Sequence, residues 1–182
     1  MRRILILTLA FAGACASGGA SESSETTSRQ APIYTSSETG TILGDQPHAT
    51  VVNIAAPPAA VWVAVKKVYG ELEIPVTVES PGTRQIGNPN FVKLRNMGGQ
   101  SMVNWVDCGT GMTGPKAASY RIYGSLLTDV IPDGKGGTKL QTTFVPMGQD
   151  VEGGSSDRIP CGTTGRFEQL VLTKVKEAVS KS

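Results

Sequence analysis

The spacing of hydrophobic residues between positions 50 and 73 predicts a strand followed by a helix. Thr50–Ile54 has the β-branched composition of a strand. Pro57 and Pro58 then favour a helix start, because a proline in the first helical turn lacks only an N–H that would be unpaired anyway. An apolar stripe follows and predicts about four helical turns, ending near residues 70 to 73. The stripe consists of Val61, Val65, Val68 and Leu72, with Trp62 and Tyr69 beside it.

Segments rich in strand-forming residues after position 73 predict a series of strands separated by turns. The longest are Ser119–Ile131 and Thr138–Met147. The glycine-rich residues 133–137 between them predict a hairpin turn that joins the two strands. Ser80–Thr83 carries proline and glycine where a turn favours them. The other predicted strands are Pro75–Glu79, Arg84–Ile86, Phe91–Arg95 and Met102–Asp107. Because only residues 87–90 separate Arg84–Ile86 from Phe91–Arg95, these two are one broken strand or two separate strands.

The chain ends in a second amphipathic helix. Its start is predicted at Thr163, Thr164 or Gly165, with Glu168 in the first turn. Its apolar face consists of Phe167, Leu170, Val171, Val175 and Ala178. The resulting order, β-α-β-β-β-β-β-α, predicts the α+β class, with a largely antiparallel curved sheet covered by two helices.

The amino terminus has the pattern of an export signal. Met1–Arg3 is basic, and the apolar run Ile4–Ala12 is too short for a membrane span, which needs about 20 residues. Small residues precede Cys15, and this arrangement resembles the lipobox of bacterial lipoproteins, whose cysteine is acylated and becomes the first mature residue. The resemblance implies a signal peptide over residues 1–14, lipidation of Cys15 and an N-terminal membrane anchor. With Ala16 next, it also implies an outer-membrane lipoprotein facing the periplasm.

Ordinary secretion is the alternative to lipidation. Ala12-x-Ala14 and Ala14-x-Ala16 both match the small-residue cleavage pattern of soluble exported proteins. Residues 15–47 are rich in Ser, Thr and Gly without a sustained hydrophobic period, so they cannot offset the entropy of ordering. We expect a disordered tether over 15–47, with an r.m.s. reach of roughly 30 to 35 Å. A single α+β domain is expected over residues 48–182.

The predicted layout resembles helix-grip domains, in which a curved sheet wraps a long C-terminal helix. The layout also resembles the domains of BamC-type lipoproteins of the bacterial outer-membrane assembly machine. The elements that carry this resemblance are the first strand, the proline-led helix with Val61–Ala64, and the following strand and turn. This second resemblance covers residues 50–95 by motif and the remainder by element order. It implies a fold, and no binding residue is transferred from it.

Charge and composition exclude several function classes. The chain has 17 Lys+Arg and 15 Asp+Glu, but Arg2 and Arg3 lie in the predicted signal peptide, so the predicted mature chain carries no formal net charge apart from its termini. Nucleic-acid binding is therefore not expected. His48 is the only histidine, which argues against His-rich metal sites, and no metal or cofactor is predicted.

Two cysteines follow Cys15. In an oxidising compartment Cys108 and Cys161 are expected to form a disulfide that closes a loop of about 53 residues. The alternatives are two buried free thiols or, less favoured, a reactive nucleophile.

One glycine pattern imitates a cofactor motif. Gly109–Gly114 matches G-x-G-x-x-G, but dinucleotide binding requires a helix to begin within this motif. The residues after Pro115 lead instead into a predicted strand and hairpin. A tight or mobile loop is therefore expected, without a cofactor.

A catalytic constellation is not predicted. His48 lies at the border of the tether, and no G-x-S-x-G nucleophile elbow is present. Paired carboxylates could come from the acidic residues of the domain, although such residues on helix ends and turns are usually solvated. These residues are Glu71, Glu73, Glu79, Asp107 and Asp129.

An aromatic and basic grouping is the candidate ligand or partner surface. Trp105, Tyr120, Arg121 and Tyr123 could line a groove between sheet and helix, because such side chains are common at binding surfaces. The alternative is half-buried strand residues with Arg121 solvated on the other face.

The sequence leads to one favoured function and two others. The favoured one is a non-catalytic, lipid-anchored envelope protein that binds another envelope protein or supports envelope structure. The second is a carrier that holds a small apolar or amphipathic ligand between the sheet and the C-terminal helix. An envelope hydrolase that uses carboxylates is the third.

Overall fold

Six strands of the described residues, 49–153 and 156–181, form one antiparallel sheet in the computed structural model. The strands in chain order are β1 (Thr50–Ile54), β2 (Val78–Ser80), β3 (Gln85–Leu94), β4 (Arg121–Pro132), β5 (Thr138–Gln149) and β6 (Arg158–Pro160). The helices are α1 (Pro58–Glu71) and α2 (Arg166–Ser180). Across the sheet the order is β1-β5-β4-β3-β2, and β6 pairs with the end of β5 beyond β1. The α+β class, the largely antiparallel sheet and its two covering helices are confirmed.

Short elements fill the connection between β3 and β4. Met102–Asn104 and Lys116–Ala118 are single 3-10 turns. Three two-stranded ladders are also present, and one of them joins this connection to the segment after β6. They pair Asn96–Met97 with Gln100–Ser101, Val106–Asp107 with Gly162–Thr163, and Thr110–Gly111 with Gly114–Pro115.

The helices pack against each other and against the central strands. α1 contacts β4 and β3, while α2 contacts β5 and β1. A buried polar chain joins α1 to the sheet: the Tyr69 hydroxyl lies 3.0 Å from Thr128 Oγ1, which lies 2.9 Å from Thr142 Oγ1. The same hydroxyl is 3.3 Å from the Leu126 carbonyl oxygen, so no member of this network is left without a partner.

The number of predicted strands equals the number of strands in the sheet only because one wrongly predicted strand offsets one missed strand. The predicted strand Met102–Asp107 forms a 3-10 turn and a two-residue ladder instead. Its buried side chains, Met102, Trp105 and Val106, are three and four residues apart, which is helical rather than strand spacing. Conversely, β6 was not predicted, because three residues carry too little pattern.

The structure decides between the two alternatives for the middle segments and moves the start of β2. The two short segments around residues 87–90 are one strand, β3, with a register irregularity between Asn88 and Phe91. Asn88 stabilises this bulge, because its Nδ2 donates to the Pro75 carbonyl at 2.8 Å and its Oδ1 accepts the Asn90 N–H at 2.8 Å. β2 begins at Val78, three residues later than predicted.

The predictions for the N-terminal region lie outside the described residues. These are the signal peptide over 1–14, the lipidation of Cys15, the tether over 15–47 and the position of His48.

Candidate interaction surface

The two central strands divide their residues between two faces of the sheet. Leu126 and Val130 of β4 are at most 2% exposed, and their cross-strand partners Phe144 and Leu140 on β5 are equally buried. This face is the one the helices cover. Among the described residues, neither helix covers the opposite face, where alternate residues of the same strands point.

The uncovered face carries cationic and apolar side chains side by side. Leu94 pairs with Arg121, and Val92 pairs with Tyr123, so both pairs share this face. On the other side of Arg121, Gln149 of β5 pairs with Arg158 of β6. Val92, Leu94 and Val145 are 49%, 46% and 42% exposed, which is high for aliphatic side chains in a sheet. We define the open-face patch as Val92, Leu94, Arg121, Tyr123, Val145 and Arg158.

Tyr123 is the centre of the open-face patch. The guanidinium carbon of Arg158 lies 3.6 Å from the centroid of its ring, which is a cation–π distance. The hydroxyl donates to Gln149 Oε1 at 2.8 Å. A hydrogen bond from the Arg121 guanidinium lowers the pKa of Tyr123, and the nearby charges of Arg121 and Arg158 act in the same direction. Two guanidiniums therefore contact one half-buried tyrosine, Arg158 over its ring and Arg121 through a hydrogen bond.

The arginines of the open-face patch contact the tyrosine at its centre. Salt bridges between described residues use lysines: Lys66 with Glu79, Lys93 with Glu73, and Lys174 with Glu71. Arg121 and Arg158 instead contact the polar and π-face groups of Tyr123. Arginine and tyrosine are among the residue types enriched at the positions that contribute most to protein–protein binding energy.

The structure separates the four residues predicted to form one surface. Arg121 and Tyr123 lie in the open-face patch, whereas Trp105 is in the core and is 4% exposed. The Trp105 indole N–H donates to the Met97 carbonyl at 2.8 Å, and the ring packs edge-on against Phe167 at 5.4 Å. Trp105 therefore cannot contribute to a surface.

Tyr120 lies on the opposite side of the sheet from its neighbour Arg121. A Cβ built on Gly148 would lie 3.0 Å from the Tyr120 ring and about as close to both sulfurs of the Cys108–Cys161 disulfide. Tyr120 thus packs over Gly148 against the disulfide rather than beside Tyr123. The period of two along a strand would have separated Tyr120 from the other two residues.

The Cys108–Cys161 disulfide is present, as predicted. It connects the segment after Val106–Asp107 with the segment before α2. The two-residue ladder between Gly162–Thr163 and Val106–Asp107 lies beside it. The start of α2 is thereby fixed to the connection between β3 and β4.

The glycine pattern Gly109–Gly114 forms a small hairpin. Lys116 N–H bonds the Gly109 carbonyl at 3.0 Å, and the ladder of Thr110–Gly111 with Gly114–Pro115 closes the loop. Met112 at its tip is fully exposed. No α-helix begins within the pattern, so the geometry that holds a pyrophosphate is missing.

Aromatic side chains occupy the space between the sheet and α2. Phe144 of β5 lies 6.0 Å from Phe91 and 5.5 Å from Phe167, measured between ring centroids. Gly124 provides room for them, since a Cβ there would lie 2.5 Å from Phe91 and 2.8 Å from Phe144. These rings pack together in the space between the sheet and α2, where a carrier would need a hollow for its ligand.

The acidic residues considered for catalysis lie in separate places. Glu71, Glu73 and Glu79 each pair with a different lysine. Asp107 accepts the Gly109 N–H at 2.7 Å, and Asp129 accepts from Gln85 Nε2 at 3.1 Å. Such local contacts account for each carboxylate without a shared site. Within residues 49–153 and 156–181, His, Cys, Asp and Glu side chains do not gather in threes as a metal site would require.

No protein-family model matches the chain, and no curated protein matches its sequence. In the described part of the chain, neither helix has the length and apolar character needed to cross a membrane.

Proposed function

We propose that this chain is a non-catalytic, lipid-anchored envelope protein whose domain binds another envelope protein through the open-face patch. The observation that carries this proposal is the pair of guanidiniums at Tyr123, bordered by three exposed aliphatic side chains on the sheet face that neither described helix covers. A partner that covered these groups would bury apolar area and pair two cations that already have fixed positions.

The proposed location combines sequence and structure. The pattern at Met1–Ala14 followed by Cys15 supports export with lipidation, and the disulfide agrees with an oxidising compartment. An outer-membrane lipoprotein facing the periplasm fits the residue after the cysteine. A soluble periplasmic or secreted protein is the alternative. Replacing Cys15 with serine tests the anchor: the protein should move from the membrane fraction to the soluble fraction and lose the mass of its acyl chains.

The packing favours an interaction module over a carrier. Phe91, Phe144 and Phe167 occupy the space in which the predicted ligand would lie. The exposed groups suited to binding lie on the other face of the sheet. An interaction module also agrees with the resemblance to BamC-type lipoproteins.

Affinity capture from chemically cross-linked cells tests the proposed binding. The wild-type protein should retain a reproducible envelope protein that the double variant Arg121→Gln, Arg158→Gln loses. The matched control is Lys67→Gln, Lys176→Gln, which removes the same charge from exposed helix positions and should retain the partner. Capture of no reproducible protein, or equal capture by both double variants, would contradict the proposal.

A further inference from the structure

A shallow hollow lies at the end of the sheet farthest from the open-face patch. Its volume is about 240 Å³, and its lining is mostly apolar: Trp62, Val130, Pro58, Pro81 and Pro132, with Arg84 as the one charged residue among them. Val130 is nine residues along β4 from Arg121, which corresponds to about 30 Å. The hollow is thus separate from the proposed protein-binding surface.

Trp62 presents a fixed apolar wall to this hollow. Its indole N–H donates to Glu79 Oε1 at 3.1 Å, and Lys66 holds the same carboxylate at 2.9 and 3.0 Å. These bonds from Lys66 and then Trp62 lower the pKa of Glu79, so the carboxylate stays ionised and keeps accepting from the indole. A ligand in the hollow therefore meets an aromatic wall whose orientation is already determined.

Arg84 supplies a cation to the hollow. Its backbone is fixed, because its N–H donates to the Pro81 carbonyl at 3.2 Å and its carbonyl accepts from Val130 at 2.9 Å. Its φ of 58° lies in the left-handed region that favours glycine. Among the residues that the structure describes, no carboxylate forms a salt bridge with its guanidinium.

We propose that this hollow binds a small organic carboxylate with a ring-sized apolar body. The volume is sufficient, since a cavity of about 150 Å³ accepts a benzene ring. The apolar body lies against Trp62 and the lining prolines, and the carboxylate pairs with the guanidinium of Arg84, whose planar fork matches two carboxylate oxygens. The inference does not rest on the open-face patch or on the proposed function.

The two tryptophans of the chain provide a direct measurement. In ¹⁵N-labelled protein, the indole N–H signal of Trp62 reports on the hollow, and that of the buried Trp105 is an internal control. The probes are 3-phenylpropanoate and the uncharged 3-phenylpropanamide at millimolar concentration. We expect the acid to shift the Trp62 signal saturably, to leave the Trp105 signal unchanged, and to bind about tenfold more tightly than the amide.

Variants of Arg84 separate charge recognition from folding. Arg84→Gln should bind the acid no better than the amide, whereas Arg95→Gln should bind like the wild type, because Arg95 is another exposed arginine with positive φ, here 64°. Arg84→Gly removes the guanidinium while favouring the observed backbone, so its loss of acid binding cannot be attributed to unfolding. Equal affinities for acid and amide, unchanged binding by Arg84→Gln, or an unmoved Trp62 signal would overturn the proposal. None of these results affects partner capture through the open-face patch.

Discussion

The guanidinium carbon of Arg158 lies 3.6 Å from the centroid of the Tyr123 ring, although β5 separates the strands to which these residues belong. The contact spans the neighbouring strand because both side chains point to the uncovered face. Together with Arg121, it places two guanidiniums beside one phenol. The short strand β6 therefore contributes Arg158 to a surface whose other residues lie mainly on β3 and β4.

The first prediction concerns the ionisation of Tyr123. Replacing Arg121 with glutamine should raise the pKa of Tyr123 toward its ordinary value, because the hydrogen bond from Arg121 is the main cause of the lowering. The ¹³Cζ shift of Tyr123 followed against pH measures this change. A lowered tyrosine pKa stabilises the folded state only in the alkaline range, so unfolding at neutral pH should not reflect it. An unchanged titration in Arg121→Gln would contradict the assignment.

The second prediction concerns the Cys108–Cys161 disulfide. The double variant Cys108→Ser, Cys161→Ser should be less stable by about 4 kcal/mol, because the unfolded chain loses a constraint on a loop with a sequence separation of 53. Urea unfolding of oxidised wild type, reduced wild type and the double variant measures it. Reduced wild type and the double variant should agree, and a reduced protein as stable as the oxidised one would refute the expectation.

The third prediction tests the filled space between sheet and helix. Gly124→Ala should cost about 1–3 kcal/mol, because its Cβ would meet the rings of Phe91 and Phe144. Gly70→Ala in α1 is the matched control, since nothing lies within 4 Å of its new Cβ, and it should gain up to about 1 kcal/mol. If Gly124→Ala were neutral, the rings would have room to move and a ligand cavity would become reasonable.

The fourth prediction concerns Glu168, which is buried in the first turn of α2. Burial raises the pKa of this carboxyl, and the lowering effects of its own backbone N–H and of the Thr163 hydroxyl only partly oppose the rise. The folded state therefore retains a proton that the unfolded state releases, and stability falls as pH rises above the ordinary glutamate range.

Glu168→Gln should remove this fall, because the amide imitates the protonated carboxyl. Urea midpoints at acidic and neutral pH measure the difference, with wild type as the reference. The variant should unfold at a higher urea concentration than wild type at neutral pH, and at a similar one in acid. Lower stability of the variant at neutral pH would show that the charged form is the favoured one.

Local patterns predicted the elements that depend on local chemistry. β1 and the start and end of α1 follow from β-branched residues, two prolines and a helical stripe. The hairpin of β4 and β5 follows from its glycine-rich turn, in which Asp133 Oδ1 accepts the N–H groups of Lys135 and Gly137. In each case, the residues that determine the element lie within it.

The open-face patch could be predicted only in part, because it depends on register. Tyr120 and Arg121 are adjacent, and strand alternation places them on opposite faces. Residue type alone groups Trp105 with them, whereas its environment depends on the 3-10 turn that brings it to Phe167. Arg158 reaches Tyr123 only because β1 begins opposite Thr142, which leaves Met147–Gln149 of β5 to pair with β6. No local signal contains that information.

Site-specific photo-cross-linking in intact cells tests the central claim most directly. A photoreactive amino acid would replace Val92 or Val145 on the open-face patch, or Val63, a control that is 66% exposed on α1. We predict a discrete adduct with one envelope protein from positions 92 and 145, lost when Arg121 and Arg158 are changed to glutamine, and no such adduct from position 63. Equal adducts from all three positions, or none from positions 92 and 145, would contradict the claim that this face binds a partner.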